Sequence, residues 1–556
     1  MTTIGGELWV ATTTAFADPS HVGGTLTIAT PMMPGDFVGI DPSDADLPLT
    51  DDPERLVYDG LMALRNVGSL SGTTLVPDLA VDIPAPTDHG LTYTFTLRKG
   101  IRYSDGTTVR ASDFVLGLHR ALIAKDNDPA LFWKVKGAKN CSKQPQRCDL
   151  AQGITTDDSA ETVTFHLAEP DPDLPYKLTR FVFPMPPGTP LARATSPIPG
   201  TGPYKIEGYS ELAQTRGYRK AAGFDLVRNR YFTQWSYAAQ QRGFVDRIHY
   251  QRKKLATAEK LVEHDKADLV QLTNGPAGNL PRGLLDSVHD RFPTRLHLQE
   301  DPTTDWVVLN TRLAPFNNRK ARRAFNYALD RDAWVRLNGP TSVATCQILP
   351  PNFPGYRLYC PYTVNPGNGE YHGRDLATAR MLVEESGTKG THVTVYGLAE
   401  PSWHVATLFL KSVLTEIGYN ADIKEYEAKP ENLVHFSAPD HRAQVSFFPG
   451  WRADSPLPSD FYNNGDDCAS VAAGGWGYAT ACDPALDALA RKAVTLEASN
   501  PSEAVTLWTH IDHQLVDMSF IVPLANDVTP IFVSKRVGNY QSSQFNGPVL
   551  SQMWVK

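Results

Sequence analysis

The chain has 556 residues, 41% of them hydrophobic and 21% charged, with 53 Lys+Arg against 61 Asp+Glu for a formal net charge of −8. This is the composition of a folded globular protein rather than a disordered one, and the length supports several domains or a few large lobes. The densest basic group is only Arg252-Lys253-Lys254, which excludes the electrostatic footprint of a nucleic-acid or anionic-lipid binder, and no apolar run is long enough to span a bilayer.

Residues 1–22 are expected to form a linker or the remnant of an upstream segment. The first 17 residues carry neither Lys nor Arg and no long apolar stretch, so no export signal is expected within this chain. Gly23 to Ala29 then reads as a strand with Leu26 and Ile28 on one face. Tyr93 to Leu97 and Val163 to Leu167 alternate in the same way, as half-buried antiparallel strands do. Between them Phe114, Val115, Leu118 and Leu122 recur at helical spacing behind Ser112 and Asp113, which are suited to accept the orphan N–H groups of a first turn. From Glu169 to Pro203 proline is dense and periodicity short-lived, which predicts a segment crossing between lobes.

After residue 303 strands and helices alternate. Trp306 to Leu309 reads as a strand, and Ala321, Ala324, Phe325, Ala328 and Leu329 form the apolar stripe of a helix. Further helices are predicted around 376–383, 406–417, 486–494 and 504–515, with strands at 393–396, 421–426 and 521–524. The pattern predicts an α/β unit with a mostly parallel sheet.

Six cysteines fall into sequence-local pairs, Cys141 with Cys148, Cys346 with Cys360 and Cys468 with Cys482. We expect three local disulfides, each restraining a loop poor in apolar residues, over six unrelated thiols or a zinc site, because no C-x-x-C occurs and no His is interleaved at ligand spacing. Disulfides in turn point to an oxidising, extracytoplasmic compartment.

Signatures of catalysis are missing. There is no Gly-x-Ser-x-Gly elbow and no phosphate-binding Gly-x-x-x-x-Gly-Lys-Ser/Thr loop. His510 and His513 lie three apart on a predicted helix, which reads as a solvated face and not as a metal pair. Asp171 and Asp173 sit in the proline-rich stretch, where solvation is expected to account for them. No catalytic residue, cofactor or metal is expected. More suggestive are the aromatics. Phe447 to Asp454 runs off an apolar strand through Gly450-Trp451 to a carboxylate, where α/β sheets place ligands. Trp476 and Tyr478 lie inside the loop that Cys468 and Cys482 would close, and Trp403 is a further candidate wall residue.

Several segments, in order, resemble the bacterial family 5 extracellular solute-binding proteins, the oligopeptide-, dipeptide- and nickel-binding components of ABC importers. They are Gly23 to Ala29, Leu56 to Leu61, Leu75 to Ala80, Tyr93 to Gly106, Val109 to Leu122, Thr201 to Ile206, Asn310 to Arg331 and Gly450 to Asp454. The resemblance implies an α/β, two-lobed, periplasmic-binding-protein-like fold with an additional subdomain inserted in the first lobe. By matching, lobe I comprises 23–52, 200–298 and 522–556, the inserted subdomain 53–199 and lobe II 299–521.

It also implies a monomer that captures a peptide or similar small polar ligand between its lobes and hands it to ABC permease subunits. Asp454 matches the aspartate that pairs with a peptide's α-ammonium, and a carboxylate enclosed on closure needs such a cation. The family continues with Asp-Pro-Asp-x-Phe, where this chain has Ser455-Pro-Leu-Pro-Ser-Asp460-Phe461. The competing readings are a ligand-sensing module of a larger regulatory protein and a secreted hydrolase.

Overall fold

The computed structural model describes residues 21–31, 41–43, 53–124, 129–208, 223–272, 283–339, 341–438, 440–463, 467–473, 481–497 and 499–556. Strand β1 (Thr25–Thr30) follows the glycine pair as predicted. Next comes an antiparallel sheet of β2 (Thr92–Thr96), β3 (Ile154–Asp157) and β4 (Thr162–His166), in the order β2-β4-β3. Helix α1 (Asp113–Ile123) packs on it, so that Phe95, Phe114, Leu118 and Phe165 share one buried cluster with Leu174 and Leu178.

Ser112 does not cap α1; its hydroxyl donates to Asp158 at 2.9 Å. Asp113 works locally instead, accepting from the Arg110 N–H at 2.9 Å and from the Tyr103 hydroxyl at 2.8 Å. The proline-rich stretch holds a single turn of helix at Leu174–Lys177 and otherwise runs without regular structure to residue 203.

A second, large sheet carries the rest. Its strands are β1, β5 (Tyr204–Glu207), β6 (Gly223–Arg228), β7 (Arg247–Arg252), β8 (Leu269–Gln271), β9 (Leu296–Leu309), β10 (Ser342–Ala344), β11 (His392–Leu398), β12 (Asn420–Tyr426), β13 (Val445–Arg452) and β14 (Ile521–Val533). Their order is β12-β11-β13-β9-β14-β8-β1-β7-β6-β5, with β10 pairing on β14. The expected parallel pairing holds among β11, β12 and β13, whereas β9 and β14 are antiparallel to each other and β9 is antiparallel to β13.

These two long strands form a ribbon from one core to another. At one end Leu296 pairs with Phe532 beside a cluster of Ala29, Val270 and Val288. At the other, Val308 pairs with Ile521 inside a cluster with Phe325, Val395, Leu410 and Phe447. The register slips between Glu300 and Thr304 and again between Asp305 and Trp306, and such irregularities bend and twist a ribbon locally. Ile248, Leu226 and Tyr204 are buried in a separate cluster around β5 to β7.

Helices α2 (Arg319–Ala328), α3 (Pro401–Glu416), α4 (Pro484–Leu496) and α5 (Pro501–Met518) follow the predicted stripes, with Asn318, Asp483 and Asn500 capping α2, α4 and α5. The three local cysteine pairs are disulfides, Cys141–Cys148, Cys346–Cys360 and Cys468–Cys482. Among the described residues no helix is long and apolar enough to cross a membrane.

Candidate functional site

Strand β13 ends where the chain must turn tightly against β9. Gly450 has φ +92°, and a Cβ there would lie 2.7 Å from Asp305 Oδ1 and from Thr303 Cγ2, so only glycine is accommodated. Pairing resumes with Trp451 opposite Thr304 and Arg452 opposite Thr303, and the Ala453 N–H donates to the Pro302 carbonyl at 2.8 Å. This fixes the direction in which Asp454 leaves the sheet.

Asp454 meets Arg180, 274 residues away in the chain: Nη1 donates to Oδ1 at 3.1 Å. The side chains are only 11% and 16% exposed, respectively. Arg180 follows the short helix at Leu174–Lys177, and its guanidinium lies 4.9 Å from the Phe181 ring centroid. The pair therefore joins the proline-rich crossing segment to the end of β13.

Around it stands a group of hidden carboxyls. Asp460 lies on the short helix Pro458–Asn463 and accepts from Trp451 Nε1 at 2.9 Å and from the Ser455 N–H at 2.8 Å. Burial, then the nearby Asp454 charge, pushes the Asp460 carboxyl up to about 7 against those hydrogen bonds. The next residue inward, Ser459, donates to Asp173 Oδ2 at 2.8 Å. Burial and the Asp171 charge raise Asp173. Burial and Asp173 in turn push Glu497 up to about 9, although Trp508 Nε1 donates to its Oε1 at 2.9 Å. Asp171 behaves differently: burial alone would raise it, but Lys177 at 2.7 Å and Lys134 at 3.3 Å outweigh that and hold it below its ordinary value.

Of the residues singled out from sequence, Asp454 and Trp451 thus come together through Asp460 and Ser455. Trp403 is elsewhere, 6% exposed and packed on Phe436 and Phe447 inside the α/β core. Trp476 and Tyr478 lie outside the described residues. The expected solvation of Asp171 and Asp173 is overturned; both are buried, because the short helix folds them under β2 and against Ser459.

Arg180, Ser459 and Glu497 were not anticipated, and no local signal marks them; Asp173 was noticed only as one of a pair of aspartates expected to be solvated. Asp460 was visible only as the aspartate that the chain reaches six residues after Asp454. Chemically, the group offers two carboxylates already holding cations, Asp454 with Arg180 and Asp171 with Lys177 and Lys134, edged by acids whose burial resists further negative charge.

Among known proteins, the sequence profile of bacterial extracellular solute-binding proteins, family 5 middle, matches residues 74–472. The chain is 26% identical over 509 residues to the probable di/tripeptide-binding protein 5 of Pseudomonas aeruginosa, covering 87% of this chain and 88% of that one. It is 24% identical over 476 residues to the periplasmic oligopeptide-binding protein OppA of Escherichia coli, covering 81% and 79%. The same fold is seen in the clavulanic acid biosynthesis oligopeptide binding protein 2, with a TM-score of 0.81 at 20% identity over 96% of each chain. It is seen again in the periplasmic binding protein DppA from Helicobacter pylori in complex with the peptide STSA, with a TM-score of 0.68 at 20% identity over 96% and 98%.

Proposed function

We propose, from the premise that the chain belongs to the family 5 bacterial extracellular solute-binding proteins, that it captures a short peptide and delivers it intact to an ABC importer. The names of its relatives, which bind di- and tripeptides and oligopeptides, favour a peptide over other small solutes. In this reading the bodies on either side of the β9–β14 ribbon are the two lobes, the unit around β2-β4-β3 is the inserted subdomain, and the ribbon's slipped register is the hinge. The protein acts as a monomer outside the cytoplasm.

Asp454 receives the peptide's α-ammonium and Trp451 walls the same pocket. The single observation that carries this reading is the Arg180–Asp454 pair: Asp454 holds a cation at a place largely closed to water, where an enclosed carboxylate requires one. The peptide main chain would be held by strand-like hydrogen bonds, leaving side chains loosely selected.

The test is calorimetry on Asp454→Asn with peptides bearing a free amine and with their N-acetylated forms. The free-amine peptides should lose at least about 30-fold in affinity, the worth of one partner in an enclosed charge pair, and the acetylated ones far less. Equal losses for both would remove the amine role. Native mass spectrometry of freshly purified protein should show retained peptide, recovered unhydrolysed.

A further inference from the structure

The ion pair that supports the amine pocket also fills it. The Asp454 carboxylate already accepts from a guanidinium that the proline-rich segment brings to it from 274 residues away. Nor is Arg180 a loose surface side chain. The Val182 N–H donates to the Arg180 carbonyl at 2.7 Å across Phe181, whose φ is +64°. A hydrogen bond over two residues with a positive central φ is a rare, strained turn, and a buried aromatic in that region is an outlier. Strain of this kind persists only where the surroundings impose it, and it clusters at working sites. The turn keeps the guanidinium beside the Phe181 ring and aims it at Asp454.

We propose that Arg180 is a built-in stand-in for the ligand's cation. It neutralises Asp454 while the cleft is empty, fastens the two bodies together, and is displaced when an ammonium arrives. An ammonium arriving at the same carboxylate repels the guanidinium, and capture proceeds as an exchange rather than by the sharing that Lys177 and Lys134 show at Asp171. Arg180 then sets the threshold that an incoming ligand must exceed: a primary ammonium can compete for Asp454, whereas a neutral or acylated amine cannot. The binding half of this inference rests on the peptide reading; the closing half does not.

The experiment uses the full chain stripped of cargo by unfolding and refolding, as wild type, R180Q, R180K, D454N and the double variant R180Q/D454N. Small-angle scattering should show the radius of gyration, roughly 24 Å for a compact chain of this length, rising by roughly 1 Å in R180Q and in D454N. The double variant should rise no further than either single one, and R180K should return to the wild-type value, which separates a lost charge pair from a damaged fold. In calorimetry, trialanine should bind R180Q roughly 3- to 10-fold more tightly than wild type, because the competing cation is gone. An unchanged radius in R180Q, or weaker trialanine binding by R180Q, would overturn the proposal. If trialanine binds neither protein, the peptide reading falls, and the scattering result alone upholds or overturns the fastening role.

Discussion

Asp171 and Asp305 are almost equally hidden, 1% and 4% exposed, yet their surroundings treat the charge in opposite ways. At the edge of the antiparallel unit, Lys177 and Lys134 reach Asp171 and keep it ionised in spite of burial. On the crossing ribbon, burial and then the Asp527 charge drive Asp305 well above its ordinary value, while burial and then the Asp301 charge push Asp527 up to about 7. Depth alone therefore does not decide whether an acid is charged; a cation within reach does. One region uses its carboxylate as a charged lock, and the other carries acids that favour the proton on the ribbon that runs between two hydrophobic cores.

The largest expected effect tests the lock. Asp171→Ala leaves Lys177 enclosed without its nearest anion, and breaking a buried pair from one side is costly. The variant should lose about 3 kcal/mol of unfolding free energy at pH 7, read from denaturant titration. The sign in pH follows from the lowered Asp171 value: its contribution is present above the unfolded carboxylate range and lost as pH falls through the folded one. A loss below about 1 kcal/mol would make Asp171 no different from a surface acid.

The ribbon should respond in the reverse direction. Because the folded Asp527 value is raised, folding favours its protonated form, and that stability is present below about pH 4 and lost as pH rises to about 7. Asp527→Asn removes the titration. Its stability profile should be flatter than wild type across that window, and at pH 8 it should be the more stable protein by ~2 kcal/mol. Parallel profiles would show that the ribbon acids titrate normally and dissolve the contrast with Asp171.

Much of this was legible in sequence because it is local. The stripe from Ala321 to Leu329 and the alternation from Tyr93 to Leu97 give their elements directly, since each residue's face is set by its neighbours. Asp454 and Trp451 could be picked out because a strand, a glycine turn and a carboxylate follow one another within eight residues. The first half of β9 was missed, since Glu300-Asp301-Pro302 interrupts any apolar alternation and the strand is held by pairing to distant β14. Arg180 and Asp173 were illegible for a similar reason: their partners Asp454 and Ser459 lie 274 and 286 residues away. A proline-rich stretch announces the absence of regular structure, but not how deep its aspartates will sit once distant segments such as Ser459 pack against them.

Between the lock and the ribbon stands Asp460, buried like both, raised to about 7, but hydrogen-bonded by Trp451. Trp451→Phe tests which of the two it resembles. The indole N–H favours the ionised carboxylate, so its loss should raise the Asp460 value further and cost about 1 kcal/mol where that group is charged. Because the Asp460 value is already raised, the cost should be seen at pH 8 and fade at pH 5, where wild type and variant both carry the proton; unfolding at the two pH values measures the difference. A cost that is equal at both would mean that the bond never addresses an ionised group, and would place Asp460 with Asp305 on the proton-holding side. A cost confined to pH 8 shows that the indole N–H holds the ionised form, so that Asp460 lies between the two: a carboxyl that burial and the Asp454 charge keep protonated up to about pH 7, and that gains its charge beside Asp454 only above it.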